Sequence, residues 1–378
     1  DLHYPLRRQR QMCIRDSYNL ADDISEKQDL SARYPDKTKE LAKALSDYLR
    51  EQHATMPVLK RTGRFVSYPD GGQVERKLPK DDETLVYDNP GDALPLKEGD
   101  MHPKVKNWHF YTAHEFNNKD TKKGLPLGFI EHQGMHMSRT AKVDNRKCSK
   151  VEDGVLRIWS VEEKDSIDNR FGKKVKYSHG CYRTSLPGSK EFWCNFTENM
   201  RIEIRFKRTP YVGFNDALWF MGNNNRPWPK NGEIDLLENP KKTLNDRAHF
   251  TLHSENHYAG VVGGSGSVTS TIELADMSQW NIYWLEWYPD RIVGGVNGQA
   301  YFEHRKGADG NTDWPWSDPL GFFLIFSTGI STNPNAWPGA IIPSEWKKDE
   351  MPAMYIDWIR VYTNKDYKGE NPPAPKFY

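Results

Sequence analysis

Residues 228–239 of the 378-residue chain read WPKNGEIDLLEN, three carboxylates set in an apolar run. Side chains alternate between the two faces of a β-strand, so Glu233 and Asp235 share one face while their apolar neighbours take the other. Glu238 follows five residues after Glu233, a spacing that would turn it into the apolar layer. A β-bulge inserts one extra residue into a strand and re-aims the side chains that follow it. The stretch therefore predicts a bulged strand with all three acids facing one cleft.

Three carboxylates on one strand face suggest a specific chemistry. Two carboxylates about 5–5.5 Å apart are what a retaining glycosidase needs, because one attacks the anomeric carbon and the other protonates the departing oxygen. The alternative is an exposed strand with solvated acids. Such a strand normally carries basic partners among its acids, and residues 233–238 contain none. The catalytic interpretation is therefore favoured.

Four further stretches agree with this one. They are residues 108–117 (WHFYTAHEFN), 200–207 (MRIEIRFK), 280–298 (WNIYWLEWYPDRIVGGVNG) and 351–362 (MPAMYIDWIRVY). With the Glu-x-Asp-x-x-Glu strand they resemble glycoside hydrolase family 16 over residues 105–362. The resemblance implies an all-β fold, a β-jelly-roll sandwich with a substrate groove across its concave sheet. Many short strand-like runs between Gly, Pro, Asn and Asp independently predict an antiparallel two-sheet sandwich.

The resemblance implies a role for each acid. Glu233 is expected to be the nucleophile, and Glu238 the acid/base, which must begin protonated and so needs a raised pKa. Asp235 is expected to hydrogen-bond Glu233 and orient it. No metal or other cofactor is required, although a structural calcium occurs on the convex face of relatives.

Aromatic and polar residues around the acids are expected to bind substrate. Trp219 matches the second aromatic of the family's Trp-Pro-Ala-x-Trp motif, and Asn215 replaces the first. Trp228 either stacks on a sugar or packs a turn. His253 is either the family's cleft histidine or a core histidine. Trp337 matches a loop that lines the groove in relatives.

Cations near the cleft are candidates for contact with a sulfate group. Arg226, Arg247 and Lys230 are the residues in question, and simple solvation of an exposed cation is the alternative.

Three functions remain open at this point. The leading one is an endo-acting retaining hydrolase of a sulfated red-algal galactan, with kappa/beta-carrageenan or furcellaran ahead of agar or porphyran. The second is an endo-β-1,3(4)-glucanase, or laminarinase. The third is a non-catalytic carbohydrate-binding module, which the three intact acids disfavour. One fold can host both substrate classes through loop variation.

Composition excludes other partners. The 53 basic and 52 acidic residues give a net charge of +1, which provides no field to attract nucleic acid. The sequence contains no run of about 20 apolar residues, so it predicts no membrane span. A polysaccharide substrate suggests action outside the cytoplasm, with the protein secreted, periplasmic or at the cell surface.

The N-terminal part differs from the rest. Residues 1–17 look foreign, and QMCIRD at 11–16 resembles a translated sequencing-adaptor artefact. Residues 18–60, with an amphipathic helix predicted over 35–52, resemble the C-terminal end of a formylglycine-dependent sulfatase. That likeness implies a sulfatase domain upstream in the full-length protein and a sulfated polysaccharide. The remaining segments are a linker at 61–104, the hydrolase domain at 105–364 and a tail at 365–378.

The cysteines allow two interpretations. Cys13 falls in the foreign segment. Cys181 and Cys194 flank a turn-like stretch and could form a disulfide if the protein is exported. Equally, these two and Cys148 are small buried hydrophobes.

Overall fold

The computed structural model describes residues 17–51, 68–71, 96–133, 141–190, 192–238, 247–257, 268–273, 277–308, 313–346 and 352–364. The described residues fall into two compact units, one before residue 78 and one after it. Residues 1–16, with Cys13, and the predicted tail at 365–378 lie outside the described residues. None of the helices described is both long and apolar enough to cross a membrane.

The first unit is built on helix α1 (Pro35–Glu51), as predicted to within one residue. Buried Ser46 accepts a hydrogen bond from the backbone N–H of Asp70 over 2.9 Å. The guanidinium of Arg50 forms an ion pair of 2.8 Å with Asp70 and lies 4.4 Å above the ring of Tyr68. Residues 68–71 therefore pack on the helix, and the prediction that the linker begins at residue 61 is wrong for them.

The second unit is almost entirely β-structure. Its strands are β1 (His109–His114), β2 (Thr121–Lys122), β3 (Leu125–Pro126), β4 (Phe129–Glu131), β5 (Lys142–Val143), β6 (Ser149–Glu152), β7 (Val155–Asp168), β8 (Lys174–His179), β9 (Cys181–Thr184), β10 (Met200–Lys207), β11 (Phe214–Gly222), β12 (Glu233–Glu238), β13 (Arg247–His253), β14 (Val268–Glu273), β15 (Asn281–Trp287), β16 (Arg291–Val296), β17 (Gln299–Arg305), β18 (Phe322–Ile330) and β19 (Ala353–Thr363). Helix α2 (Asn145–Cys148) and 3-10 turns at Asn118–Asp120, Pro315–Ser317 and Pro343–Glu345 complete it.

Two sheets enclose the core, which confirms the predicted sandwich. The outer sheet has ten strands in the order β17-β16-β15-β10-β19-β7-β8-β5, with β1 beside β19 and β6 beside β7. The inner sheet has seven, in the order β14-β13-β12-β11-β18-β9-β4. Strand alternation builds the core: Ile202, Ile204 and Phe206 of β10 are fully buried in it, against Leu218 and Phe220 of β11. Both sheets thus place one apolar face inward.

The outward face of the outer sheet is also covered. Leu96 and Val105 pack against the cluster that contains Trp108. His102 is 3% exposed, and its Nε2 lies 3.1 Å from Oε1 of Glu203 on β10. Buried charged groups need such partners, because an unpaired one loses its hydration without compensation. The predicted boundary at 104/105 is therefore too late, and residues 96–104 belong to the sandwich.

The three described cysteines are free thiols in buried positions. The buried-hydrophobe interpretation is confirmed, and the disulfide between Cys181 and Cys194 is not formed. Burial raises the pKa of the Cys148 and Cys194 thiols to about 12, so both remain protonated at neutral pH.

Candidate active site

The bulge in β12 is visible in its pairing with β11. Leu218 pairs with Leu237, and the next residue, Trp219, pairs with Asp235, which leaves Leu236 as the extra residue. Leu236 and Leu237 are both fully buried in the core. Two successive side chains thus point inward, a break in alternation that only an irregular strand permits.

Pairing with β13 shows the same irregularity. Asp235 pairs with Thr251 and Glu238 pairs with His249, so three steps on β12 match two on β13. Because Thr251 and His249 are two residues apart, they share a face, and Glu238 returns to the face of Asp235. The predicted bulge is confirmed. We call the face of the inner sheet that carries the three acids the catalytic face.

Tryptophans and a glycine fix the start of β12. Gly232 has φ +82°, a left-handed backbone conformation that favours glycine. The Nε1 of Trp316 donates to the carbonyl oxygen of Glu233 over 3.1 Å. Trp287 in turn donates its Nε1 to the carbonyl oxygen of Trp316 over 3.0 Å. These buried indoles hold the backbone below the first acid.

Trp228 and His253 contact the first two acids. The Nε1 of Trp228 donates to Oε2 of Glu233 over 2.6 Å. The Nε2 of His253 lies 3.1 Å from Oδ2 of Asp235 and 4.0 Å from Oε1 of Glu233. The rings of Trp228 and His253 are 5.8 Å apart. The structure therefore places both residues at the acids, Trp228 with 45% of its surface exposed and neither of them in the core.

Glu238 has its own neighbours. Asn215 forms a side-chain hydrogen bond with it. His249 lies opposite Glu238 on β13, and its ring is 5.3 Å from that of Trp337. Trp219 lies opposite Asp235, and its Nε1 has no hydrogen-bond partner within the described part of the chain. Asn215, Trp219 and Trp337 are thus placed around the acids, and their contact with substrate stays a prediction.

The predicted sulfate ligands are placed differently. The Nη2 of Arg226 lies 2.5 Å from Oδ2 of Asp318, and the Nζ of Lys230 lies 2.5 Å from Oε1 of Glu255. Each of these cations already has a carboxylate partner. Arg247 begins β13, and its side chain lies outside the described ones.

Burial raises the pKa of all three carboxyl groups. For Glu233, the charge of Asp235 raises it further, while His253 opposes the rise. For Asp235, the charge of Glu238 adds to burial, and the hydrogen bond with Glu233 opposes it. For Glu238, His253 and the hydrogen bond from Asn215 oppose the effect of burial. Like charges packed this closely cannot all ionise together, so the group retains a proton towards neutral pH.

One interaction favours the ionised form of Glu233 in particular. The N–H of Trp228 can only donate, so it stabilises the ionised carboxylate of Glu233. A hydrogen bond to the charged form of an acid lowers the pKa of that acid. The hydrogen bond from Asn215 acts in the same direction on Glu238. The N–H of Trp228 therefore favours the ionised form of Glu233, against burial and the charge of Asp235, which raise its pKa.

Two of the acids and His253 form the single group in the described residues that could hold a metal ion. Ligand atoms of Glu233, Asp235 and His253 all lie within 4.8 Å of one another. However, Trp228 already donates to one oxygen of Glu233, and Glu233 and Asp235 share a hydrogen bond whose proton would compete with a cation. That no cofactor is required stays a prediction.

Two residues of the site were missed from sequence. His249 shares a strand face with Thr251 and His253 in RAHFTLH, so period-2 alternation could have found it. Burial and the nearby His253 lower its pKa to about 4, so its imidazole is neutral at neutral pH. Trp316 gave no local signal, because its contact with Glu233 spans 83 residues of sequence.

Comparisons with known proteins agree with this geometry. A keratan-sulfate endo-1,4-beta-galactosidase from Sphingobacterium multivorum is 28% identical over 169 residues, which cover 43% of this chain and 36% of that protein. The clotting factor G alpha subunit of Tachypleus tridentatus is 30% identical over 221 residues, 57% of this chain and 28% of that protein. The chain thus spans about a third of the length of these curated relatives.

Solved structures share the fold. The laminarinase catalytic domain of Thermotoga maritima superimposes with a TM-score of 0.54 at 25% identity, covering 68% of this chain and 98% of that one. The laminarinase domain of Thermotoga petrophila gives a TM-score of 0.53 at 26% identity, covering 69% and 100%. The family model of glycosyl hydrolases family 16 matches residues 175–360. Residues 175–360, about half of the chain, therefore form a domain of glycosyl hydrolases family 16.

Proposed function

We propose that this domain is an endo-acting, retaining glycoside hydrolase. The observation that carries the proposal is the bulge in β12, which brings Glu233, Asp235 and Glu238 onto the catalytic face. Trp228, Asn215 and His253 then contact or hydrogen-bond these acids. Such a set provides both a nucleophile and a proton donor without further groups.

The first half of the reaction uses two acids at once. A carboxylate oxygen of Glu233 attacks the anomeric carbon as the bond from that carbon to the glycosidic oxygen breaks. Glu238 gives its proton to the departing oxygen, and the product is a glycosyl ester of Glu233. The 2.6 Å hydrogen bond donated by Trp228 and the hydrogen bond shared with Asp235 orient the side chain of Glu233.

The second half reverses these roles. Ionised Glu238 takes a proton from a water molecule, whose oxygen attacks the anomeric carbon and releases Glu233 as a carboxylate. Two displacements retain the configuration at that carbon. The raised pKa of Glu238 suits it to carry a proton in the first step and to recover one in the second.

The proposed substrate is a sulfated galactan, with kappa/beta-carrageenan or furcellaran favoured over agar or porphyran. Support comes from the relative named a keratan-sulfate endo-1,4-beta-galactosidase, whose name gives both a sulfated polymer and a galactosidic bond. The likeness of residues 18–60 to a sulfatase end points the same way. We also propose that a sulfatase domain lies upstream in the full-length protein. The protein is proposed to act outside the cytoplasm.

A second candidate is an endo-β-1,3(4)-glucanase. The two Thermotoga laminarinases superimpose over nearly the whole of their own chains, which favours it. A binding module without turnover is disfavoured, because the three acids are present and assembled.

Release of reducing ends from carrageenan, furcellaran, porphyran, agarose and laminarin tests the substrate. We expect hydrolysis of a sulfated galactan and little of laminarin. A Glu238→Gln variant purified in parallel is the control for contaminating hydrolases. Hydrolysis of laminarin with no action on any sulfated galactan would establish the second candidate instead.

A further inference from the structure

A row of paired residues crosses the catalytic face. Asp235 pairs with Trp219, Trp219 with Ile325, and Ile325 with Arg183 on β9. Residues directly opposite each other on neighbouring strands share a face, so Arg183 lies on the same face as the acids. Three strand spacings separate Asp235 from Arg183, about 14 Å at about 4.8 Å each. A glycan that crosses the strands from the acids would therefore reach Arg183.

Arg183 contacts an aromatic ring of the catalytic face. Its side chain is partly buried, and its guanidinium lies 5.1 Å from the ring centre of Phe323. No carboxylate forms an ion pair with it in the part of the chain that the structure describes. Four other arginines of the sandwich do have such partners: Arg201 with Glu203 and Glu286, Arg205 with Asp357, Arg360 with Glu115, and Arg226 with Asp318. Arg291 of the outer sheet, which is 1% exposed, instead lies 4.4 Å from the ring centre of Tyr288.

A partly desolvated cation without a counter-ion is costly, since it has lost part of its hydration and gained no opposite charge. Burial lowers the pKa of Arg183, and no carboxylate opposes that effect. An anion placed there would recover the lost interaction. The guanidinium offers paired N–H donors in a plane, which match two oxygens of a sulfate group.

The surroundings of Arg183 also favour an anion. The ring of His132 lies 5.9 Å from that of Trp219 and 6.2 Å from that of Phe323. Burial lowers the pKa of His132 to about 4, and the positive charges of Arg183 and Arg170 lower it too. Two guanidinium charges therefore act on this end of the catalytic face.

We propose that Arg183 binds a sulfate group of the substrate beyond Trp219, and that this contact determines the preference for a sulfated polymer. The inference rests on the proposed hydrolysis of a sulfated galactan. It assigns recognition to an arginine without a protein counter-ion, whereas Arg226 is already neutralised by Asp318. A neutral glucan offers Arg183 no charge to bind.

The test is Arg183→Met, which keeps an apolar stem over Phe323 and removes the charge. Kinetics are measured on a sulfated galactan and on the same polymer after chemical desulfation, at low ionic strength. We expect KM on the sulfated polymer to rise about tenfold with kcat nearly unchanged, as expected for loss of a charge-assisted hydrogen bond. KM on the desulfated polymer should not change. That second substrate also reports whether the variant is folded.

Two further variants sharpen the test. Arg183→Lys keeps the charge without the planar fork and should give an intermediate KM. Arg305→Met removes a cation of β17 that is paired with Glu303, away from the catalytic face, and should behave as wild type. In about 0.5 M salt the difference between wild type and Arg183→Met should shrink, because the Debye length falls to a few ångström.

The outcomes separate the two proposals. If the wild type cleaves the sulfated polymer and Arg183→Met raises KM equally on both polymers, or on neither, the role of Arg183 is wrong and the proposed function stands. If the wild type cleaves laminarin and no sulfated galactan, the proposed function is wrong and the inference falls with it.

Discussion

The indole N–H of Trp228 donates to Oε2 of Glu233 over 2.6 Å, from a side chain that is 45% exposed. An exposed tryptophan whose one polar atom is held by Glu233, the proposed nucleophile, combines two tasks. Its partly exposed ring can face a sugar, and its N–H stabilises the ionised form of Glu233. The contact therefore links substrate binding to the ionisation of Glu233.

Trp228→Phe should separate these tasks. The ring remains, but the donor to Glu233 is lost, so the pKa of Glu233 should rise further and the acid limb of the kcat/KM profile should move to higher pH. We expect kcat/KM near neutral pH to fall about tenfold. The measurement is the pH profile of both proteins on one polymer. A lower kcat/KM with an unmoved acid limb would show that Trp228 serves only in stacking.

Replacement of the catalytic acids should have graded effects. Glu233→Gln and Glu238→Gln should each lose turnover by at least about a thousandfold, while Asp235→Asn should be impaired but measurable. Circular dichroism melting checks that each variant folds.

Azide distinguishes the two glutamates. With Glu233→Ala it should replace the missing nucleophile and give a glycosyl azide of inverted configuration. Rescue of that kind seen with Glu238→Ala alone would exchange the two assigned roles.

Stability should fall in mild acid because of His114. This histidine is 3% exposed and lies against the rings of Phe116, Phe129 and Trp193. Burial lowers its pKa from 6.5 to about 4. The folded state therefore binds fewer protons than the unfolded state, so this contribution is present above about pH 6.5 and is lost as the pH falls towards 4.

For this one group the linkage amounts to about 2 kcal/mol between pH 7 and pH 5. His114→Gln keeps a donor for the carbonyl of Leu127 and has no ionisation in this range. Urea unfolding at both pH values should show a smaller loss for the variant than for wild type. Equal losses in the two proteins would assign the acid sensitivity to other groups.

Truncation should locate the start of the sandwich. A version of the chain that begins at residue 78 keeps His102 and should match the full chain in activity. A version that begins at residue 103 leaves Glu203 without His102 and removes the contact of Leu96, so its unfolding free energy should be lower by about 1–3 kcal/mol. His102→Ala in the longer version is the matched control. Equal stability of all three proteins would support the later boundary.

Removal of metal should leave hydrolysis unchanged. Prolonged treatment with EDTA followed by kinetics in metal-free buffer should give the original kcat, because Glu233 and Asp235 act as free carboxylic groups in the proposed reaction. Loss of activity that Ca²⁺ or another cation restores would show that Glu233, Asp235 and His253 hold an ion.

The alternation of side chains along a strand was sufficient to predict the geometry of the catalytic strand. The position of Glu238 conflicts with the alternation of Glu233 and Asp235, and a bulge is the simplest geometry that removes the conflict. That argument uses six residues and no tertiary contact. The structure confirms it at the predicted place.

Contacts between residues far apart in the sequence could not be predicted. Arg226 is neutralised by Asp318, 92 residues away, and nothing near either residue indicates the other. Residues 96–104 resemble a linker because isolated side chains such as His102 anchor them, and isolated anchors create no periodicity. Arg183 was not singled out, since an arginine in a strand shows its lack of a partner only when the surrounding strands are in place.

The bulge at Leu236 has a mechanical consequence. Glu233 and Glu238, the proposed nucleophile and acid, lie on one strand six residues long, so their separation is set mainly by covalent geometry and by the hydrogen bonds of neighbouring strands. Mutations in distant loops or in the outer sheet should therefore reduce the fraction of folded molecules before they change the spacing of the two acids. The activity of each molecule that remains folded should stay nearly constant while the population declines.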